Sequence, residues 1–416
     1  MTSEKRTTAL DVLRVLSVIL VMTSHTVYAL FDKGNAGGFL PYLFGTIGQL
    51  GVTIFIVISG YLAAHSLRRD QALAFYKKRL ASILPPIWIS SLTIGTSFFI
   101  LAKMFGVHAP TVFETIITSQ PLTEKIDFVR LLWSVLGIDG YLHVSRYGIE
   151  VYNIVTEWFI GFVLLLLVFA PIIDRLVRSY GTQTLVIALV ASVLSFYWPR
   201  WEGPLSVFFV SFGNTLNPPV RIFEFVFGFF LFHRREDRSF WRVGRIIAAS
   251  YVLILLGIYF SIGANFMVRR VEGFVFGCCF VLLAFDFINT FCRDYAGMSL
   301  ISGLAKKSFM AMLIHHPVVY LLCNNLPSIA LNSLGVLTLF GIVIISSFYI
   351  AGKLVPVSAA ITRLLLASSD LLNMAGKGLG ATIPDRVHKG ARDGAQAISA
   401  RAGTSSEDMN RLPMPR

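Results

Sequence analysis

Charge is scarce in this chain. Only 14% of its 416 residues are charged, where a soluble domain carries about a quarter, so most of the surface cannot face water. Cysteine is rarer still: Cys278, Cys279, Cys292 and Cys323 lie in or beside apolar runs and have neither zinc-finger nor redox spacing. They read as small hydrophobes, which excludes a disulfide framework. No HExxH pair is present and the histidines are scattered along the chain, so no metal site is expected. Nucleic-acid motifs are missing too. The net charge of +13 comes from basic residues set between hydrophobic runs, the layout of a membrane protein obeying the positive-inside rule rather than of a nucleic-acid binder. A cleavable leader is not expected, because Asp11 and Arg14 stand where a leader would be apolar; the first run reads as a retained signal anchor.

What the chain has in abundance is apolar length. Hydrophobic residues make up 55% of it and the mean hydropathy is +0.70. A membrane span needs roughly 20 apolar residues. On that ruler the spans fall at 8–31, 43–66, 83–104, 152–173, 181–198, 216–232, 245–263, 268–290, 306–323 and 332–352. Basic groups such as Lys77, Lys78 and Arg79, or Arg234, Arg235 and Arg238, alternate with loops poor in Lys and Arg, the pair Arg269 and Arg270 excepted. The expected fold is therefore all-α: a polytopic membrane helix bundle of about ten transmembrane helices with both termini cytoplasmic. Trp158, Trp198 and Trp201 fall at expected outer interfaces, and Trp88 and Trp241 at inner ones. The largest outer segment, about 105–151, contains the apolar stripe FVRLLWSVLG, which reads either as an interfacial helix or as a lid. Residues 6–370 form the expected membrane domain, and from Gly376 a polar stretch rich in Gly, Ala, Ser and Arg reads as a disordered cytoplasmic tail, 376–416.

Ionisable residues inside spans are few enough to weigh one by one. In RVLSVILVMTSH, Arg14 and His25 are eleven residues apart, close to three helical turns, so they share a face and stand about 16 Å apart along the axis. Asp11 lies one turn before Arg14 on that face. Arg14 reads as a snorkelling anchor paired with Asp11 or as a functional group, and His25 as a packing residue or a functional one. In GQLGVTIFIVISGYL the glycines and Ser59 suggest close helix packing. FYKKRLASILPPIW reads as a basic cytoplasmic cluster leading into a proline-marked helix start, and Lys77, Lys78 and Arg79 are either a topology signal or a polyphosphate site. Glu157 sits beside Trp158, and Arg221 and Glu224 lie one turn apart as an expected intrahelical pair. His315 and His316 are adjacent, so a regular helix points them about 100° apart and only one is expected to face the same cavity as His25.

Taken in order, these stretches resemble the acyltransferase 3 family of bacterial integral membrane acyltransferases. ALDVLRVLSVILVMTSH is similar to the family's Asp-Leu-Arg…His opening, GVTIFIVISGYL to its second helix, and FYKKRLASILP to its Arg-x-x-Arg-Ile-x-Pro loop. NPPVRIFEFVFGFF resembles its Arg-x-x-Glu-Phe-x-x-Gly segment and KSFMAMLIHHP its Ser-Phe…His-Pro segment. Ser82 stands where the loop's second arginine is expected, and TEWFI replaces the more usual Trp-Phe-Leu context around Glu157.

The resemblance implies transfer of an acyl group, commonly acetyl, from cytosolic acyl-coenzyme A (acetyl-CoA as co-substrate) to a hydroxyl of an envelope or exported carbohydrate or glycoconjugate. It implies location in the bacterial inner membrane, with the lipid bilayer and separate polysaccharide-assembly proteins as partners. It carries onto Arg14 and His25 as required residues, onto Arg79 with Lys78 and Lys77 as coenzyme-binding, and onto Arg221, Glu224 and His315, with Asp11, Ser59 and Glu157, as substrate-binding or supporting. His25 is expected to act as general base on the acceptor hydroxyl or as an acyl carrier. A transporter moving a carbohydrate or acyl intermediate without chemistry is the rival reading. It accounts for the spans and buried charges but not for five motifs in family order.

Overall fold

The computed structural model describes residues 8–31, 39–105, 128–144, 158–197, 218–262, 271–292, 297–325 and 333–381. Among them there is helix and turn and no strand. In chain order the helices are α1 (Thr8–Phe31), α2 (Phe39–Leu67), α3 (Ala72–Phe105), α4 (Phe128–Val135), α5 (Asp139–Val144), α6 (Trp158–Val168) and α7 (Ala170–Tyr180). They continue as α8 (Thr182–Tyr197), α9 (Ile222–His233), α10 (Arg238–Ile262), α11 (Val271–Phe291), α12 (Met298–Asn325) and α13 (Ser333–Ala381). The chain separates into two units, 1–362 and 363–416.

Among the described residues five helices, α1, α2, α3, α11 and α13, hold stretches long and apolar enough to cross a membrane, or six if the bent pair α6–α7 counts as one span. α8 and α9 are shorter apolar helices. Apolar side chains also point outward, among them Ile187 and Leu194 on α8, Leu253 and Ile254 on α10, and Ile345 on α13. With no water to satisfy it, spanning backbone must bond to itself, as helices do. The fold is that of a multi-pass membrane protein.

The core forms where α1 packs against α2 and α12, and α2 against α9. Small residues let these backbones meet, as the glycines of the second span suggested. A Cβ on Gly60 would stand 2.1 Å from the Phe225 carbonyl oxygen, and one on Gly228 would stand 2.1 Å from that of Val57. Each glycine therefore seats the other helix's backbone, the device membrane helices use in place of hydrophobic exclusion.

Three expectations need correction. α3 is continuous from Ala72, so Lys77, Lys78 and Arg79 are helical and Pro85 and Pro86 lie inside the helix rather than at its start. A proline has no N–H to offer the carbonyl four residues back; the Thr362 hydroxyl donates to that carbonyl, on Ala81, at 2.8 Å instead. Trp88 consequently lies well along α3. Its indole N–H donates at 2.7 Å to the Val135 carbonyl of α4, in the segment read as the outer one. The fourth span is not one rod: α6 and α7 meet at a 55° bend, with Pro171 in the first turn of α7, and the Tyr76 hydroxyl donates at 2.6 Å to the Val168 carbonyl at the break. α13 runs to Ala381, past Gly376 where the sequence turns polar.

Candidate active site

α1 carries the site's two ends on one face. Near its start, Asp11 is buried and its Oδ1 lies 3.9 Å from Arg14 Nη1, while Arg14 stays partly exposed. This is the expected pair one turn apart.

At the other end of α1, His25 meets both histidines of α12. His316 Nε2 is hydrogen-bonded to His25 Nδ1, with ring centroids 4.0 Å apart and planes at 76°. His315 is buried and stands edge-on to His25 at 5.1 Å. The expectation that only one would face His25 is therefore wrong. Two neighbours 100° apart straddle the line of contact by about 50° each, and a ring lying on that line is within reach of both. His315 Nδ1 lies 2.5 Å from the Met312 carbonyl oxygen. A carbonyl only accepts, so Nδ1 is the protonated nitrogen of that ring.

This convergence also overturns the reading of the histidines as scattered. One nitrogen from each of His25, His315 and His316 lies within 4.8 Å of the others, the ligand count of a three-histidine metal centre.

The basic turn of α3 divides its side chains by direction. Lys78 is exposed and its Nζ donates to Asp70, which also accepts from Ser66 Oγ at 3.3 Å. Lys77 is half-buried. Arg79 turns inward: Nη2 donates to the Leu62 carbonyl of α2 and the guanidinium lies 5.6 Å from the Phe75 ring. Its Nε is buried with no hydrogen-bond partner. Ser82, exposed, donates back to the Arg79 carbonyl at 2.8 Å.

The second charged centre is sealed. Arg221, just before α9, pairs with Glu224 through Nε at 2.8 Å and Nη2 at 2.7 Å. Its Nη1 donates to Gln49 Oε1 at 3.2 Å and its Nη2 to Thr53 Oγ1 at 2.9 Å, both on α2. The guanidinium also stands 4.9 Å from the Phe274 ring of α11. Neither charged side chain is exposed, so the pair binds three helices rather than lining an open path. Ser59 is half-buried on α2. Glu157 lies outside the described residues.

Comparison with known proteins decides the family. The profile of an acyltransferase domain, that of acyltransferase 3, matches residues 7–352, most of the chain. The protein belongs to the acyltransferase 3 family. No curated protein and no solved structure matches it.

Within this acyltransferase 3 protein, three contributors escaped the sequence reading. Gln49 and Thr53 are polar residues one turn apart in an apolar run, a signal that marks a buried polar partner. His316 was set aside by the 100° rule. A cavity of about 1030 Å³ at the turn between α7 and α8, lined by Arg178, Gly181, His233 and Arg234 among others, touches none of the candidate catalytic or binding residues read from sequence. Its polar side chains are already engaged: Asp174 pairs with Arg178 and is hydrogen-bonded to His233, and Asp237 pairs with Arg234.

Proposed function

We propose that this membrane acyltransferase moves an acetyl group from cytosolic acetyl-coenzyme A to a hydroxyl of an envelope or exported carbohydrate, in the bacterial inner membrane. In this reading ten spans leave both termini in the cytoplasm, and the end of α1 that carries Arg14 faces the cytosol. The phosphates of coenzyme A arrive at Lys77, Lys78 and Arg79, where arginine's fixed fork suits them. Lys78 exchanges its contact with Asp70 for phosphate, and the buried Arg79 Nε, which has no hydrogen-bond partner, is a donor for the thioester arm. Asp11 steadies Arg14. His315 and the Arg221–Glu224 pair support the path, and Ser59 and Glu157 complete the set on the acceptor side. Separate polysaccharide-assembly proteins supply the acceptor.

The chemistry balances without a further reactant. His25 takes the hydroxyl proton as the oxygen attacks the thioester carbonyl; the C–O bond forms, the C–S bond breaks, and the thiolate leaves as coenzyme A after taking that proton. The same ring can instead accept the acyl group and pass it on. The observation that carries this reading is that His25, near one end of α1, is hydrogen-bonded to His316 and stands edge-on to His315, while Arg14 lies near the other end of that helix. Purified protein in vesicles, given labelled acetyl-coenzyme A and a carbohydrate acceptor, is expected to release coenzyme A and label the acceptor. Uptake of label without coenzyme A release would favour a transporter.

A further inference from the structure

The hydrogen bond between His25 Nδ1 and His316 Nε2 gives the two nitrogens of His25 different tasks. With Nδ1 occupied, Nε2 is the nitrogen left to meet substrate. We propose that His316 is the positioning residue of the transfer step: its Nε2 accepts from His25 Nδ1–H, fixing the tautomer whose Nε2 carries the lone pair, and takes up that proton's charge while His25 works as base. This rests on the acyl-transfer reading above and names the group through which His25 acts.

The geometry selects His316 over its neighbour. His315 spends Nδ1 on the Met312 carbonyl and meets His25 only edge-on. His316 has the direct nitrogen–nitrogen bond and keeps some exposed surface, as does His25. Tyr320, one turn further along α12, stands 5.8 Å from its ring. The partner's chemistry also suits the surroundings. A carboxylate in this place would be an anion in a medium that solvates charge poorly, whereas a second imidazole is neutral at rest.

Proton and electron counts close. As the acceptor oxygen attacks, its proton moves to His25 Nε2 and the Nδ1 proton shifts toward His316 Nε2. The positive charge is then spread over two rings instead of one. When the C–S bond breaks, the thiolate takes the Nε2 proton and the Nδ1 proton returns, restoring both neutral rings.

The experiment compares His316→Leu, which removes the acceptor, with His316→Asn, whose Oδ1 still accepts from Nδ1–H but takes no proton. His316→Leu is expected to lower kcat about 100-fold, the low end of what acid–base groups contribute, with KM little changed. His316→Asn should recover part of that loss and show a smaller solvent deuterium isotope effect than the wild type. Wild-type kcat in His316→Leu, or a loss confined to KM, overturns the proposal. A readout independent of turnover is nitrogen NMR of histidine-labelled full-length protein. A coupling across the His25–His316 hydrogen bond, absent in His316→Asn, is expected; no such coupling in the wild type overturns the proposal even where His316→Leu fails to fold. An inactive wild type with the coupling present would instead count against the acyl-transfer reading.

Discussion

Arg221 and Glu224 form a two-pronged ion pair from which solvent is fully excluded, and Thr53 of another helix completes it at 2.9 Å. Removing one charge of a buried pair strands the other, at a cost of about 3–5 kcal/mol. Glu224→Ala is therefore expected to lower the thermal unfolding temperature in detergent sharply. The double variant Arg221→Met/Glu224→Leu should lose less than Glu224→Ala does alone, because no charge is left unpaired.

Gly60 and Gly228 admit each other's backbones, with a notional Cβ 2.1 Å from a carbonyl oxygen at both positions. Backbone cannot swing aside as a side chain does, so Gly228→Ala must push α9 from α2. A loss of about 1–3 kcal/mol is expected from such overpacking, with Gly257→Ala, where a Cβ meets nothing within 4 Å, as the silent control. Thermal unfolding of the two variants side by side checks this.

The Thr362 hydroxyl serves the Ala81 carbonyl that Pro85 leaves without an N–H. Thr362→Val should cost about 1 kcal/mol, the usual worth of one hydrogen bond. In a Pro85→Ala background the helix supplies its own donor, and the same substitution should cost less. A double-mutant cycle reads the difference directly.

Asp237 caps α10. Its Oδ1 accepts from the Ser239 hydroxyl at 2.7 Å and from the backbone N–H groups of Ser239 and Phe240 at 3.0 and 3.1 Å. The Ser239 hydroxyl bond first, and the Phe240 N–H next, hold this carboxyl below its ordinary range. Such a group protects the helix start above the unfolded carboxylate's pKa, and the protection is lost as pH falls through the lowered folded value. The protection factors of the Ser239 and Phe240 amides, measured against the intrinsic exchange rate at each pH, should fall on acidification in the wild type. Asp237→Asn, which does not titrate, should flatten that pH dependence.

How far the sequence leads depends on whether the deciding contact is local. The first span was read at 8–31 and the helix α1 covers Thr8–Phe31, with its membrane-grade stretch at Thr8–Val27, because a long, mostly apolar run is a local signal. Asp11 with Arg14, and Arg221 with Glu224, were also legible, since one helical turn fixes their meeting. The start of α3 was not. Basic residues and two prolines resemble a loop and a helix start, and the donor that meets the carbonyl Pro85 leaves open is a hydroxyl on Thr362, 281 residues away from Ala81. The histidines failed for a related reason. A 100° step says where His315 and His316 point, but only the position of α1 says that a ring lies between them. Gln49 and Thr53 looked like incidental polar residues until Arg221 supplied the charge they solvate.

In the proposed reaction acyl transfer runs through His25. The direct measurement is acyl transfer from labelled acetyl-coenzyme A by His25→Ala in membranes where it accumulates to the wild-type level. Activity is expected to fall at least about 100-fold with the helix bundle intact by circular dichroism. Wild-type transfer by His25→Ala would contradict it.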